Sequence, residues 1–365
     1  MHTLGETMRD GPRPGRYALL FGLAAAGLSA AVVMYKARKA EADHPPRGRF
    51  VEADGVRLHY IERGLGTPLV LLHGNGTYAE DFDASGLLDL AAQRYRVIAF
   101  DRPGFGYSER PRNRLWTPRA QAQLLDRALE KLGVAEAVVL GHSWGTLVAL
   151  EYALLYPDKV CALMLLSGYH YPTLRLDVPL MSAPAIPVVG DFMRYTISPW
   201  LGRLMWPRLL RRLFDPNPLP SAARALPPWM ALRPGQLRAS AADSALMIPS
   251  AIGLMKRYVK LEVPVHLVAG SADRYVSTRW QSRRLHRQLP RSSLREIPGA
   301  GHMVHHVAPQ DVLAAIDAAA REAHVIHEQE ALMHSAQAAK SGLATGGDIY
   351  EKLKDRSHRG HEMTK

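Results

Sequence analysis

Gly141-His142-Ser143-Trp144-Gly145 is the stretch of this sequence best equipped for covalent chemistry. It fits G-x-S-x-G, in which a serine on a strained strand-to-helix turn points its hydroxyl into a cleft. Side chains two positions to either side would collide on so tight a turn, so both positions call for glycine. The flanks supply the context. An apolar run, Ala137 to Leu140, leads in, and a helix-like run, Thr146 to Leu155, leads out. A serine so placed, with a base at hand, is a nucleophile for acyl transfer. The backbone N–H of Trp144, just after it, is a donor for a developing oxyanion. His142 points away on such a turn and reads as structural.

The elements that must position this serine follow from patterning. Phe50 to Ala53 and Val56 to Ile61, joined at Asp54-Gly55, read as a hairpin. Leu69 to Leu72 and Arg96 to Phe100 are apolar runs ending in His73-Gly74-Asn75-Gly76 and Asp101-Arg102-Pro103-Gly104. Thr117 can cap a helix with Pro118 in its first turn. Leu124, Leu125, Ala128, Leu129 and Leu132 form its apolar face, and Gly133 can end it. Val160 to Leu166 and Val265 to Ala269 are further buried-strand candidates. Continuous apolar strands alternating with helices imply an α/β fold with a mostly parallel sheet covered on both faces.

Tyr17 to Tyr35 carries no charge, is long enough to span a bilayer core, and is followed by Lys36, Arg38 and Lys39. A cleaved signal peptide would have a short uncharged cleavage region there, so the pattern favours an uncleaved transmembrane anchor, preceded by a flank at 1–16. A linker at 36–49 follows. The chain has 365 residues, 47% hydrophobic, and a formal charge of +12. No recognised motif, and no interleaving of basic and aromatic residues, supports a nucleic-acid partner. The single cysteine, Cys161, excludes an internal disulfide and reads as a buried small hydrophobe.

The order HGNG, DRPGFGYS, GHSWG, then an Asp and a His near the C-terminus, resembles the α/β-hydrolase family over roughly residues 50–323, interrupted after Gly168. The resemblance implies a triad in the chain order serine, acid, histidine. By matching position, Ser143 is the nucleophile and the acid is Asp273, in Gly-Ser-Ala-Asp-Arg after the Val265 strand. Some relatives carry the acid one strand earlier, but Ser167-Gly168-Tyr169-His170 offers no carboxylate. The other reading of Asp273 is a turn residue capping a helix that starts near Ser277. The histidine is His302, at the end of Pro-Gly-Ala-Gly-His, with His305 and His306 as near rivals. The second oxyanion donor is, by resemblance, the N–H of Asn75. Asp101 and Arg102 read as holding their loop, with no chemical step. A zinc reading of His302, His305 and His306 is set aside, since no carboxylate or cysteine completes it nearby. Neither metal nor cofactor is expected.

Haloalkane dehalogenases and epoxide hydrolases resemble this chain around DRPG and the histidine loop, but they attack with a carboxylate at the elbow. Ser143 forms no useful alkyl-ester intermediate, which leaves acyl transfer to water. The core is expected at 50–168 and 263–323, with a cap at 169–262. The cap's many prolines imply short helices. It carries twelve Lys/Arg against four Asp/Glu between Tyr169 and Lys260. Leu201 to Phe214 is basic and amphipathic: its arginines either meet anionic headgroups or are simply solvated. His324 to Lys365 reads as a polar, disordered tail. The expected function is a membrane-anchored serine hydrolase cleaving a carboxylic ester of a hydrophobic small-molecule substrate. Alternatives are a proline-iminopeptidase-like enzyme, a C–C bond hydrolase, or a non-catalytic binding protein on this fold. A basic cap argues against capture of a substrate ammonium.

Overall fold

The computed structural model describes residues 14–175, 177–326 and 329. Eight strands form one sheet: β1 (Arg49–Ala53), β2 (Val56–Arg63), β3 (Thr67–Leu72), β4 (Tyr95–Phe100), β5 (Ala137–His142), β6 (Val160–Leu166), β7 (Val265–Gly270) and β8 (Ser292–Ile297). Their spatial order is β1-β2-β4-β3-β5-β6-β7-β8. The β1–β2 and β2–β4 pairs are antiparallel; every later pair is parallel. The hairpin turn is where Asp54-Gly55 predicts it, with both residues at positive φ, 48° and 70°.

The apolar runs are continuous because both faces of the sheet are covered. Along β3, Val70 and Leu72 pack into one layer and Leu69 and Leu71 into the other. The first layer holds the helices Pro118–Lys131 and Gly145–Leu155, which contribute Leu124, Leu129, Leu147 and Leu150. The opposite layer holds Leu87–Ala92 and a helix over 309–326, through Leu88, Val312 and Ile316. Thr117 caps its helix, accepting from the Ala120 amide at 3.1 Å.

Three expectations need correction. The segment between β6 and β7 is helical, but its helices are not all short: Ser198–Phe214 runs through Pro207 and Pro234–Met255 runs through Pro249. A proline removes one amide donor and crowds the preceding turn; here packing of the flanking turns outweighs that cost. The linker is shorter than 36–49. One helix spans Pro14–Asp43, because Lys-Ala-Arg-Lys-Ala-Glu-Ala are good helix formers and Lys39 pairs with Asp43 at 3.0 Å. The helix after Asp273 starts at Ser282, not near Ser277. Of the tail expected from His324, 324–326 and 329 are helical, and the rest lies outside the described residues, as does most of the flank at 1–16.

Candidate active site

The loops that leave β3, β5, β7 and β8 at their C-terminal ends gather at one edge of the sheet, where ligand sites of parallel sheets form. Ser143 follows β5 directly. Its φ of 52° lies in the left-handed region, a strain of about 1–3 kcal/mol for a residue with a side chain. The surroundings hold it there. The Ser143 amide donates to Leu166 O at 2.9 Å, and the Thr146 amide donates to Ser143 O at 3.1 Å. A Cβ at Gly145 would sit 2.3 Å from Leu72 O, and one at Gly141 would sit 2.7 Å from Gly145 C. Glycine at both positions is therefore a steric requirement of the turn.

The Ser143 hydroxyl lies 3.0 Å from His302 Nε2. His302 Nδ1 lies 2.8 Å from Asp273 Oδ2. Asp273 Oδ1 accepts from the amides of Tyr275 and Val276, each at 2.8 Å. Asp273 thus does cap a turn with one oxygen while the other meets the imidazole. Ser143, Asp273 and His302, drawn from three separate loops, form a continuous relay. His302 and Asp273 are both buried, and Ser143 opens on a cleft.

Asn75 and Trp144 line the same cleft. The Asn75 side chain is tied to the helix Pro234–Met255, with Nδ2 donating to Ser240 O at 3.1 Å and Ser244 Oγ at 3.0 Å. Trp144 Nε1 donates to Asp243 O at 2.9 Å. The cleft is walled largely by apolar side chains, among them Met181, Trp206, Leu209, Leu213 and Met247, and encloses about 160 Å³. A dry apolar cavity of roughly that size holds a benzene ring, so the cleft in this conformation accommodates roughly six carbons.

Arg102 does more than hold its own loop. Its Nε donates to His73 O at 2.8 Å and its Nη2 to Gly74 O at 2.9 Å, which fixes the carbonyls just before Asn75. Its Nη1 meets Asp243 Oδ2 at 2.7 Å, and its guanidinium lies 4.5 Å over the Trp144 ring. The side chains of this pair are 1% and 0% exposed. Burial pushes the Arg102 pKa down, and Asp243 opposes the shift. Sequence reasoning missed Asp243 altogether; it stands 141 positions from Arg102, and no local pattern announces it.

His305 and His306 stand outside the relay. Each donates through Nε2 to one oxygen of buried Asp81, both at 2.9 Å. Burial alone would raise the Asp81 pKa, but His306 and His305 outweigh it and hold the carboxyl well below its ordinary range. The expectation that no carboxylate stands near these histidines is therefore corrected: the helix Glu80–Ala84 brings Asp81 from 224 positions away. Asp81, His142 and His305 have ligand atoms within 4.8 Å of one another, and His302 is not among them. His142 is buried, its Nε2 3.3 Å from His302 O, and burial followed by His305 pushes its pKa far down.

A family model described as "alpha/beta hydrolase fold" matches residues 67–309. The chain is 26% identical over 287 residues to haloalkane dehalogenase 2 of Mycobacterium bovis, covering 75% of this chain and 94% of that one. A thermophilic esterase from Thermogutta terrifontis aligns with a TM-score of 0.57 at 22% identity, over 76% of this chain and 99% of the other. A membrane phospholipase A, described as a bacterial virulence factor, aligns with a TM-score of 0.58 at 23% identity, over 84% and 97%. With the fold, the elbow and the matched span in agreement, the chain belongs to the α/β-hydrolase family, and it is a hydrolase.

Proposed function

We propose that this hydrolase is a membrane-anchored serine esterase acting on hydrophobic acyl substrates. The Ser143 hydroxyl attacks the ester carbonyl while His302 Nε2 takes its proton; Asp273 holds the imidazole in the required tautomer and stabilises the imidazolium. The backbone N–H groups of Asn75 and Trp144 donate to the tetrahedral oxyanion. Collapse breaks the ester bond, and His302 returns the proton to the leaving alkoxide. Water, deprotonated by His302, then attacks the Ser143 acyl ester, releases the acid and restores the hydroxyl. In this reading 50–168 and 263–323 carry the chemistry, and 169–262 is the cap that shapes the acyl site.

The observation that carries the proposal is the Ser143–His302–Asp273 relay, at 3.0 and 2.8 Å, opening into an apolar cleft. Dehalogenation, which the name of the relatives at 26% identity states, is not carried over, because the elbow here carries the hydroxyl of Ser143, and a serine forms no useful alkyl-ester intermediate. Among the described residues, the two carboxylates lining the cleft are both engaged, Asp81 by the histidines and Asp177 by Arg175. Neither is free for a substrate ammonium, which weighs against an aminopeptidase.

The helix Pro14–Asp43 supports the membrane half of the proposal. Its span is apolar, and Leu19, Leu20, Phe21, Leu23 and Leu28 are exposed. A series of chromogenic esters of increasing acyl length, run beside aminoacyl amides, tests the reading. Soluble esters of about six acyl carbons should be best cleaved, given the size of the cleft. Turnover of the amides with no turnover of any ester would overturn it.

A further inference from the structure

The N-terminal helix is not a loose tether. Ser29 Oγ donates to Thr196 O at 2.9 Å, and Trp200 Nε1 donates to Ser29 Oγ at 2.8 Å. Val33 and Ala40 are buried against the body of the protein. Glu41 pairs with Arg233 at 2.7 Å, and the Tyr107 hydroxyl donates to His44 O. These contacts fix the height of the body against the bilayer. Ser29 lies well inside the uncharged span that ends at Tyr35, about 9 Å from that end at 1.5 Å per residue. Thr196 and Trp200 then lie at hydrocarbon depth. The side chains around them suit that level: Ile197, Trp200, Leu201, Leu204 and Met205 are large, apolar and exposed.

Just beyond the end of the span, at headgroup depth, is an open crevice of about 570 Å³. The helix contributes Met34, Ala37, Arg38 and Glu41 to it, and the body contributes Arg57, Arg110, Arg233 and Arg238. Five arginines thus face one carboxylate. Some are matched: Arg110 meets Asp243 at 3.0 Å, Arg233 meets Glu41, and Arg57 lies 3.7 Å from Glu109. Arg38 and Arg238 have no carboxylate partner among the described residues. Arg238 donates only to the Arg110 carbonyl, at 3.4 Å. Burial, followed by Arg112, Arg110 and Arg194, pushes its pKa down. A guanidinium half-buried among like charges lacks an anion that water alone replaces poorly.

We infer that this crevice binds the phosphate-bearing headgroup of an anionic phospholipid whose acyl chains lie beside the N-terminal helix. The inference rests on the membrane reading above but not on the catalytic one. The phosphate is held between Arg38 of the anchor and Arg238 of the cap, so one lipid molecule bridges the two and sets the cap against the bilayer.

The test uses the full-length protein in detergent, titrated with an ether-linked phosphatidylglycerol, which offers no carboxylic ester to cleave. Thermal stabilisation reports occupancy, since a ligand of the native state raises Tm. Parallel titrations use ether-linked phosphatidylcholine and inorganic phosphate. Half-saturation by phosphatidylglycerol should weaken about fivefold in Arg38→Gln and about 25-fold in Arg38→Gln/Arg238→Gln. The Arg→Lys pair should retain most of the affinity, and Arg119→Gln/Arg321→Gln, exposed and outside the crevice, should stay within about twofold of the parent. Because these variants share one catalytic cleft, lipid bound there cancels in the comparison. If the double variant fails to fold, exposed Arg38→Gln carries the test alone.

Equal half-saturation of variant and parent would overturn the inference, as would equal binding of the zwitterionic lipid. Stabilisation by inorganic phosphate that competes fully with the lipid would make it a site for a free anion instead. Carbonate extraction of membranes reports on the anchor separately. Resistant protein with unchanged phosphatidylglycerol binding refutes the headgroup site alone, and extractable protein refutes the membrane reading beneath it.

Discussion

Asp273 uses both of its oxygens, one on His302 and the other on the Tyr275 and Val276 amides. An asparagine there keeps the size of the side chain but loses the charge that selects the tautomer of His302. Asp273→Asn should therefore lower kcat by about 10⁴ with its thermal stability little changed, as steady-state kinetics beside a melting curve will show. His305 offers the contrast. It is buried against Asp81 and outside the relay, so His305→Ala should lower Tm far more than it lowers kcat per folded molecule.

Two other histidines contribute to the response to acid. Burial pushes His73 down to about 3, helped by Arg102, and burial alone pushes His170 down to about 3. Both are neutral in the fold, whereas in the unfolded chain they take up protons from about pH 6.5 downward. Their contribution to stability is complete above about pH 6.5 and is lost as pH falls toward 3, at on the order of 1 kcal/mol per pH unit for each residue. Both ring nitrogens of His170 are buried without a partner among the described residues, so His170→Leu removes the titrating group and breaks no hydrogen bond of its ring among them. Melting curves across that window should fall less steeply for this variant than for the parent; parallel profiles would refute the assignment.

At the scale of elements, the Arg102–Asp243 pair joins the loop after β4 to the helix Pro234–Met255, and the same helix receives Trp144 Nε1 and the Asn75 side chain. That helix is thereby registered against both expected oxyanion donors. Removing Asp243 strands the Arg102 and Arg110 guanidiniums, at a cost of about 3–5 kcal/mol, whereas removing Arg102 leaves Asp243 its pair with Arg110 at 3.0 Å but frees the His73 and Gly74 carbonyls of their donor. Arg102→Met and Asp243→Leu should each lower Tm strongly, and the double variant should recover part of the loss. Additive losses in that cycle would show that the pair does not couple cap to core.

What was legible in the sequence follows from range. The elbow glycines, the Asp54-Gly55 hairpin and the Thr117 cap answer to steric and hydrogen-bonding demands within a few residues, and each stands where the pattern places it. The relay itself was legible only through the resemblance, since nothing local distinguishes His302 from His305. Asp81 and Asp243 gave no signal, because a buried carboxylate is defined by partners that only the fold brings near. The cap misled in another way. Proline argues for short helices, yet Pro207 and Pro249 sit inside long ones; the packing that holds those turns is tertiary.

At the scale of the whole molecule, the sheet edge holds the relay, the helical segment between β6 and β7 roofs it with an apolar cleft, and the N-terminal helix docks on that segment through Ser29 and Glu41. In the proposed setting the exposed apolar face of Ser198–Phe214 meets lipid while its inner face, with Trp206, Leu209 and Leu213, lines the cleft. One helix would then separate bilayer from acyl site, a short route for a hydrophobic substrate. Arg208, Arg211 and Arg212 lie on its exposed side toward the C-terminal end, in keeping with a headgroup contact.

All of this depends on Ser143 being an activated nucleophile. The most direct test is labelling of the full-length protein, in detergent, with a fluorophosphonate probe, followed by mapping of the modified peptide. The account predicts one adduct, on Ser143, abolished in Ser143→Ala and suppressed in His302→Ala, with ester hydrolysis lost in parallel. Undiminished labelling or undiminished ester hydrolysis in Ser143→Ala would contradict it.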